Sequence, residues 1–181
     1  LQLHIGDDDR LVDLVREALD CLLRAGPLQH TSLVAQRVAL LPQVTVASPG
    51  YLAAHGEPVD LAALASHRAV HYVSSSTGKA LPLEFTVDGQ ARPVQLAATV
   101  SVTGADLYTG AAVVGLGLVQ VPRYRVAAEL ADGRLQAVLP GFAPPPMPVS
   151  VLYPQNRQLS SRVRVFTQWL RGLFEQDTAQ G

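Results

Sequence analysis

Hydrophobic and polar positions in the first 48 residues change period along the chain. Leu1–Ile5 alternates apolar with polar residues, which is typical of a strand. Asp7–Asp9 then offers carboxylates for a helix start, and apolar residues spaced by three and four continue to Leu19. Cys21–Leu23 follows as a short buried strand. We therefore predict a strand, helix, strand unit of the parallel-sheet type, with a further strand at Val44–Ala47.

The middle of the chain, from residue 49 to residue 148, alternates short helical and strand patterns. Asp88-Gly89 lies between two alternating runs, which predicts a tight hairpin. The polar loop Ser74–Lys79 follows a strand predicted at Val70–Val73. We also predict helices at Leu52–Gly56, Pro58–Leu64 and Thr103–Val114, and strands at Ala98–Val102 and Leu116–Val121.

The proline-rich run Leu139–Pro148 is the clearest linker, because proline removes backbone donors from regular structure. A strand at Val149–Tyr153 follows it, and then a final helix begins near Ser160 with Val163 and Trp169 on its apolar face. We predict an α/β fold of two lobes joined by two crossovers. Residues 1–48 plus 149–181 form the first lobe, and residues 49–148 form the second. Clefts between lobes are preferred places for small ligands.

Composition narrows the classes of partner. The 14 Lys and Arg nearly balance the 15 Asp and Glu, and a net charge of -1 cannot drive the counterion release that holds duplex DNA. We expect this chain alone not to bind DNA. Cys21 is the only cysteine, which excludes an internal disulfide and fits a reducing, cytoplasmic setting. The longest apolar stretch, Ala111–Val119, is about half the ~20 residues that span a bilayer, so we predict no membrane partner.

Two sequence motifs suggest chemistry that their context opposes. Gly115-x-Gly117 resembles the start of a dinucleotide fingerprint, but Gln120 stands where the third glycine belongs and the glycines follow a helix. We interpret these glycines as element boundaries. His67 and His71 are four residues apart, which on one helix would suit a metal, but they fall at a helix end and in a strand.

Nucleophilic catalysis has no support in the motifs either. No Gly-x-Ser-x-Gly elbow occurs, and the Ser74–Ser76 run has no neighbouring base that the sequence identifies. The Asp7–Asp9 run is explained by a helix start without a bound cation. We therefore predict no cofactor, no metal and no enzymatic activity.

A set of segments, each weak alone, resembles one known family in order and spacing. They are Asp8–Asp20, Leu23–Leu28, Ser32–Arg37, Ala47–Gly56, Asp60–Arg68, Gly115–Leu118, Val121–Pro122, Leu130–Leu135 and Val151–Pro154. Together they resemble the effector-binding domain of LysR-type transcriptional regulators, over nearly the whole chain. The family's domain normally starts with another strand and helix before the segment that begins at Leu1, so the first lobe is expected to lack them.

The resemblance implies a bacterial regulator with two Rossmann-like α/β lobes, similar to type 2 periplasmic binding proteins. Such a regulator senses a small molecule between its lobes and binds DNA through an N-terminal winged helix-turn-helix that lies outside this chain. It also implies a homodimer or homotetramer. The alternatives are a solute-binding protein of a transport system, which shares the two-lobe architecture, and a small enzyme on the same fold.

Effector contacts implied by the resemblance fall on three loops. They are Arg24, Ala25, Gly26 and Pro27; Ser74 and Ser75; and Thr103 and Gly104. Family members often carry an asparagine and an acidic residue near the third loop, whereas this chain has Thr103 and Gly104. The amides of a helix start favour an anionic or strongly polar effector, and Arg24 is either its partner or a structural arginine at a strand end.

Overall fold

A computed structural model describes residues 3–5, 14, 16–28, 32–75, 77–155 and 160–179. The chain divides into two compact units, which are unit 1 (Leu1–Leu41 with Pro146–Gly181) and unit 2 (Pro42–Pro145). The strands are β1 (Leu22–Ala25), β2 (Leu33–Leu41), β3 (Gln43–Ala47), β4 (His71–Tyr72), β5 (Leu83–Val87), β6 (Gln90–Val94), β7 (Ser101–Val102), β8 (Val119–Pro122), β9 (Gln136–Ala137) and β10 (Met147–Pro154). The helices are α1 (Pro49–His55), α2 (Ala105–Val113), α3 (Ala127–Ala131) and α4 (Ser161–Ala179).

Unit 1 contains a three-stranded antiparallel sheet in the order β1-β10-β2. Helix α4 packs against β2 through Val163 and Leu170, which are buried together with Val151 of β10. Ser160 accepts a hydrogen bond from the Val163 N–H, so the helix starts where the sequence predicts. Trp169 of the predicted apolar face is nevertheless 49 % exposed.

The predicted strand, helix, strand unit at the amino end differs from the structure. Residues 3–5 are irregular, and residues 7–13 and 15 lie outside the described residues. Where the predicted helix would end, Ala18 is left-handed and the Leu19 N–H donates to the Leu14 carbonyl at 3.0 Å, a geometry that closes helices. Strand β1 pairs antiparallel with β10, which lies between β1 and β2 in the sheet. An apolar run does not reveal its pairing partner.

Unit 2 is built on a mixed sheet. Strand β3 pairs antiparallel with β8 and β9, and β4 pairs parallel with β7. A parallel bridge between Ala69 and Leu118 joins the β4 segment to β8. Helix α2 connects β7 to β8, and Leu64, Phe85 and Leu118 are fully buried in the core. The sequence pattern places β3 in the first lobe, which is predicted to include residues 1–48. In the structure its partners β8 and β9 both lie in unit 2, and so does β3.

Local turn chemistry explains the elements that the sequence predicts well. Ser48 caps α1 by accepting a hydrogen bond from the Tyr51 N–H, and Pro49 occupies the first turn, so the helix begins earlier than predicted. Asp88 and Gly89 both have positive φ angles, 51° and 76°, as the predicted hairpin turn requires.

Three predicted elements in unit 2 need correction. The strand predicted at Ala98–Val102 is shorter, since β7 spans only Ser101–Val102. Pro58–Leu64 is not a helix; a short 3-10 turn spans Ala63–Ser66, and Val59 is 82 % exposed. The strand predicted from Leu116 begins only at Val119, because Leu116 donates its N–H to the Ala111 carbonyl and closes α2.

Candidate functional site

Two of the three predicted loops meet at one edge of the unit 2 sheet. Strands β4 and β7 are parallel neighbours, and the Val73 N–H donates to the Val102 carbonyl at 2.7 Å. Ser74 and Thr103 follow these paired residues directly. Since carboxyl ends of parallel strands share an edge, Ser74–Ser75 and Thr103–Gly104 lie side by side, at a place where α/β sheets bind ligands.

The loop Ser74–Lys79, called the serine loop below, is held by hydrogen bonds of its own backbone. The Ser74 N–H donates to the Lys79 carbonyl at 2.9 Å, and the Gly78 N–H donates to the Ser74 carbonyl at 2.8 Å. Ser74 is half-buried and Ser75 is exposed. The loop therefore presents the Ser75 hydroxyl to solvent from a closed turn.

The second loop forms the start of α2. Gly104 is the N-cap, in an extended conformation and without a side-chain cap. Apart from Gly104 itself and its two chain neighbours, no heavy atom lies within 4 Å of the position that a Cβ at Gly104 would take, so a ligand can approach this backbone closely. The first N–H groups of a helix have no acceptor within it and carry partial positive charge. Asp106 in this turn forms an ion pair with Arg125, which offsets its negative charge.

The same edge holds both ends of unit 2. The Arg123 N–H, at the end of β8, donates to the Pro42 carbonyl at 2.9 Å. Gln43 donates from Nε2 to the Pro145 carbonyl at 2.7 Å. Pro42 and Pro145 are the first and last residues of unit 2. The predicted loops thus lie at the edge through which the chain enters and leaves this unit.

Arg24, Ala25, Gly26 and Pro27 form a separate group in unit 1. Ala25 is paired with Val149 at the end of β1, and the Gly26 N–H donates to the Pro148 carbonyl at 2.9 Å. Gly26 has a φ of 94°, which favours glycine. In the same sheet Met147 pairs with Leu41, so this group also lies at the edge where the chain leaves and re-enters its unit.

Two aromatic residues that the sequence analysis did not single out lie next to the loops of unit 2. Tyr72 precedes the serine loop, and Tyr108 is the fourth residue of α2. Their rings meet edge to face with centroids 5.4 Å apart. Burial raises the pKa of Tyr108 to about 12, so its phenol stays neutral near pH 7. Nothing in the sequence distinguishes Tyr72 and Tyr108 from ordinary core residues, because most aromatic and apolar residues in strands and helices belong to the core.

The two histidines considered for a metal have different partners. His67 Nδ1 lies 3.3 Å from the Tyr51 hydroxyl, and His71 Nε2 lies 2.9 Å from the Leu96 carbonyl oxygen. Over the described part of the chain, no three His, Cys, Asp or Glu side chains are grouped so that they could hold a metal ion. Nor does any helix there have the length and apolar character to cross a membrane.

His67 gives a prediction for stability against pH. Burial, and secondarily the charge of His55, lowers the pKa of His67 below 6.5. The folded chain therefore binds this proton less readily than the unfolded chain does. The resulting stabilisation is present above about pH 6.5 and is lost as the pH falls through the lowered pKa. Urea unfolding at about pH 7.5 and pH 5 should show the loss, and His67→Gln should reduce it. Equal pH dependence in both proteins would contradict this assignment.

Comparisons with known proteins converge on one family. Residues 1–175 match the sequence profile described as the LysR substrate binding domain. The chain is 34% identical over 176 residues to the uncharacterized HTH-type transcriptional regulator YhjC of Escherichia coli, covering 97% of this chain and 59% of that protein. It is 30% identical over 162 residues to the transcriptional activator AaeR of Escherichia coli, covering 90% of this chain and 52% of that protein. The chain thus spans just over half the length of these relatives.

Solved structures show the same fold. The effector domain of AmpR from Pseudomonas aeruginosa matches with a TM-score of 0.76 and 20% identity, over 99% of this chain and 84% of that one. The regulatory domain of CrgA from Neisseria meningitidis matches with a TM-score of 0.70 and 24% identity, over 88% of this chain and 78% of that one. The predicted two-lobe α/β fold, similar to type 2 periplasmic binding proteins, is confirmed.

Proposed function

Since the chain belongs to the family of LysR substrate-binding domains, we propose that it is the sensory part of a longer transcriptional regulator. A small-molecule effector binds this domain and alters DNA binding by a winged helix-turn-helix elsewhere in the regulator. The regulator acts in the cytoplasm as a homodimer or homotetramer and catalyses no reaction. The alternative of a transport solute-binding protein has no support, because the relatives are transcriptional regulators.

The effector contacts the edge of unit 2 formed by Ser74, Ser75, Thr103 and Gly104. The observation that carries this assignment is the parallel pairing of β4 with β7, which brings two loops distant in sequence to one edge. The loops supply complementary groups, namely hydroxyls from the serines and Thr103 and backbone N–H groups from the helix start. Arg24, Ala25, Gly26 and Pro27 are further contacts implied by the family resemblance.

The effector is an anionic or strongly polar small molecule. The start of α2 favours negative charge, and the Asp106 carboxylate in its first turn is already paired with Arg125. Gly104 leaves open space above the backbone, so an anion can reach these N–H groups.

Substitutions at Thr103 and Arg24 test the site by calorimetric titration with an effector identified in a thermal-shift screen of small carboxylates. Thr103→Val removes one hydroxyl at nearly constant volume, so we expect about 1 kcal/mol weaker binding with folding retained. Arg24→Ala should cost on the order of 2 kcal/mol or more if it pairs with the carboxylate.

Matched controls separate these losses from general effects. Thr109→Val makes the same change within α2, where the hydroxyl donates to the Ala105 carbonyl. Arg164→Ala removes an exposed arginine from α4 in unit 1. Both controls should bind the effector like the unmodified chain. Unchanged affinity in both Thr103→Val and Arg24→Ala would mean that the site lies elsewhere.

A further inference from the structure

Two tyrosine rings pack together between the strand that leads into one loop of the proposed site and the helix that begins at the other. Tyr72 ends β4, two residues before Ser74, and Tyr108 lies in α2, four residues after Gly104. The rings pack edge to face at 5.4 Å with an interplanar angle of 79°. This is a favourable arrangement for two aromatic rings. The strand that leads into one loop is thereby fixed against the helix that begins at the other.

The Tyr108 hydroxyl makes a second connection, to the sheet itself. In the parallel ladder between β8 and the segment before β4, the Leu118 N–H donates to the Arg68 carbonyl and the Val70 N–H donates to the Leu118 carbonyl. Further along β8, the Gln120 N–H donates to the Tyr108 hydroxyl at 3.3 Å. Tyr108 therefore attaches α2 to a strand in the middle of the sheet at the point where this ladder ends.

Besides Tyr108, the first turn of α2 is held by the ion pair between Asp106 and Arg125. Gly104 offers no side-chain cap, and Thr103 is exposed. The Tyr108 N–H donates to the Gly104 carbonyl at 3.0 Å, so the residue that closes the first turn is also the one anchored to β4 and β8. Tyr108 is only 6 % exposed, so its side chain is out of reach of a ligand in solvent.

We propose that Tyr108 is a positioning residue of the effector site, which sets the separation between the Ser74–Ser75 loop and the N–H groups that begin α2. The inference rests on the proposed function, because it assumes that one ligand touches both loops. A ligand held by two groups loses affinity when their spacing loosens, even if the altered residue never contacts it. The hydroxyl and the ring of Tyr108 therefore both contribute to affinity.

Tyr108→Phe tests the hydroxyl while keeping the ring. Acetate serves as a small anionic probe and acetamide as its neutral analogue, with binding followed by NMR through the backbone amides of Ser75, Gly104 and Ala105. We expect the unmodified chain to show shifts with acetate and weaker ones with acetamide. Tyr108→Phe should bind acetate about fivefold more weakly. Tyr124→Phe, which changes an exposed tyrosine of unit 2, should bind like the unmodified chain.

The outcomes distinguish a failure of the Tyr108 inference from a failure of the proposed effector site. If acetate does not shift these amides in the unmodified chain, the proposed site is contradicted. If it does and Tyr108→Phe binds equally well, only the role of Tyr108 is overturned. Amides of unit 1 and the melting temperature report whether Tyr108→Phe is folded. Should it not fold, Tyr72→Leu removes the ring pair, retains the hydroxyl contact to Gln120, and is expected to weaken acetate binding to a similar extent.

Discussion

Gly117→Ala is expected to lower the free energy of unfolding by about 3 kcal/mol. Gly117 has a φ of 146°, a conformation that side chains with a Cβ rarely adopt. A Cβ at this position would lie 2.7 Å from the Arg68 carbonyl oxygen and 3.0 Å from the Ala69 carbonyl carbon. These are backbone atoms of a paired strand, so relief requires β8 and its neighbour to separate.

Gly110→Ala is the matched control for this substitution. Gly110 lies inside α2, and apart from the backbone of its own helix no heavy atom is within 4 Å of the position of its added Cβ. Alanine should therefore stabilise the chain by about 0.5–1 kcal/mol, because glycine is a poor helix residue. Urea unfolding followed by circular dichroism measures both variants. The close approach of Gly117 to Arg68 would be contradicted if Gly117→Ala cost less than about 1 kcal/mol.

Phe85→Ala is expected to cost about 3–5 kcal/mol, since a fully buried aromatic ring leaves a cavity that close packing cannot refill. Phe85 is 0 % exposed and packs with Leu64, Leu118 and Leu139 in the core of unit 2. It lies in the β5–β6 hairpin, whose two strands form a sheet of their own. The ring is therefore a principal contact between the hairpin and the rest of the unit.

Hydrogen bonds between the Gln120 side chain and the hairpin provide a local measurement of the destabilisation caused by Phe85→Ala. The Gln120 side chain accepts from the Glu84 N–H at 2.7 Å and donates to the Glu84 carbonyl at 2.8 Å. Without the Phe85 ring, the Glu84 amide should exchange its hydrogen faster. Val59→Ala, at an 82 % exposed site, should stay within about 0.5 kcal/mol of the unmodified chain. A loss of similar size in both variants would show that burial of Phe85 does not hold the hairpin.

Local chemistry accounts for the elements that the sequence predicts with good bounds. The Asp88-Gly89 turn, the start of α4 after Ser160 and the end of α2 at Gly115 all depend on residues within a few positions of one another. A cap or a turn is decided by the side chain that can satisfy a nearby N–H or tolerate a positive φ. Such signals are visible in one sequence.

Strand partners follow a different rule. The sequence pattern predicts no strand at β2 (Leu33–Leu41), and it places β1 in a parallel sheet although β1 pairs antiparallel. Both strands pair with β10, more than a hundred residues away in the chain. The prediction of a helix at Pro58–Leu64 is wrong, because its apolar residues also fit a turn that buries Leu64 and leaves Val59 in solvent. Periodicity cannot choose between these outcomes.

From sequence alone came the α/β class, the family and the loops that make up the proposed site, because turn chemistry and the order of short segments are written locally. Only the tertiary structure decided that Ser74–Ser75 and Thr103–Gly104 share an edge, since that depends on the parallel pairing of β4 with β7. It alone also revealed the contacts of Tyr108, whose partners Tyr72 and Gln120 come from two different strands. Contacts between strands are set by packing of the whole unit, which no short stretch of sequence encodes.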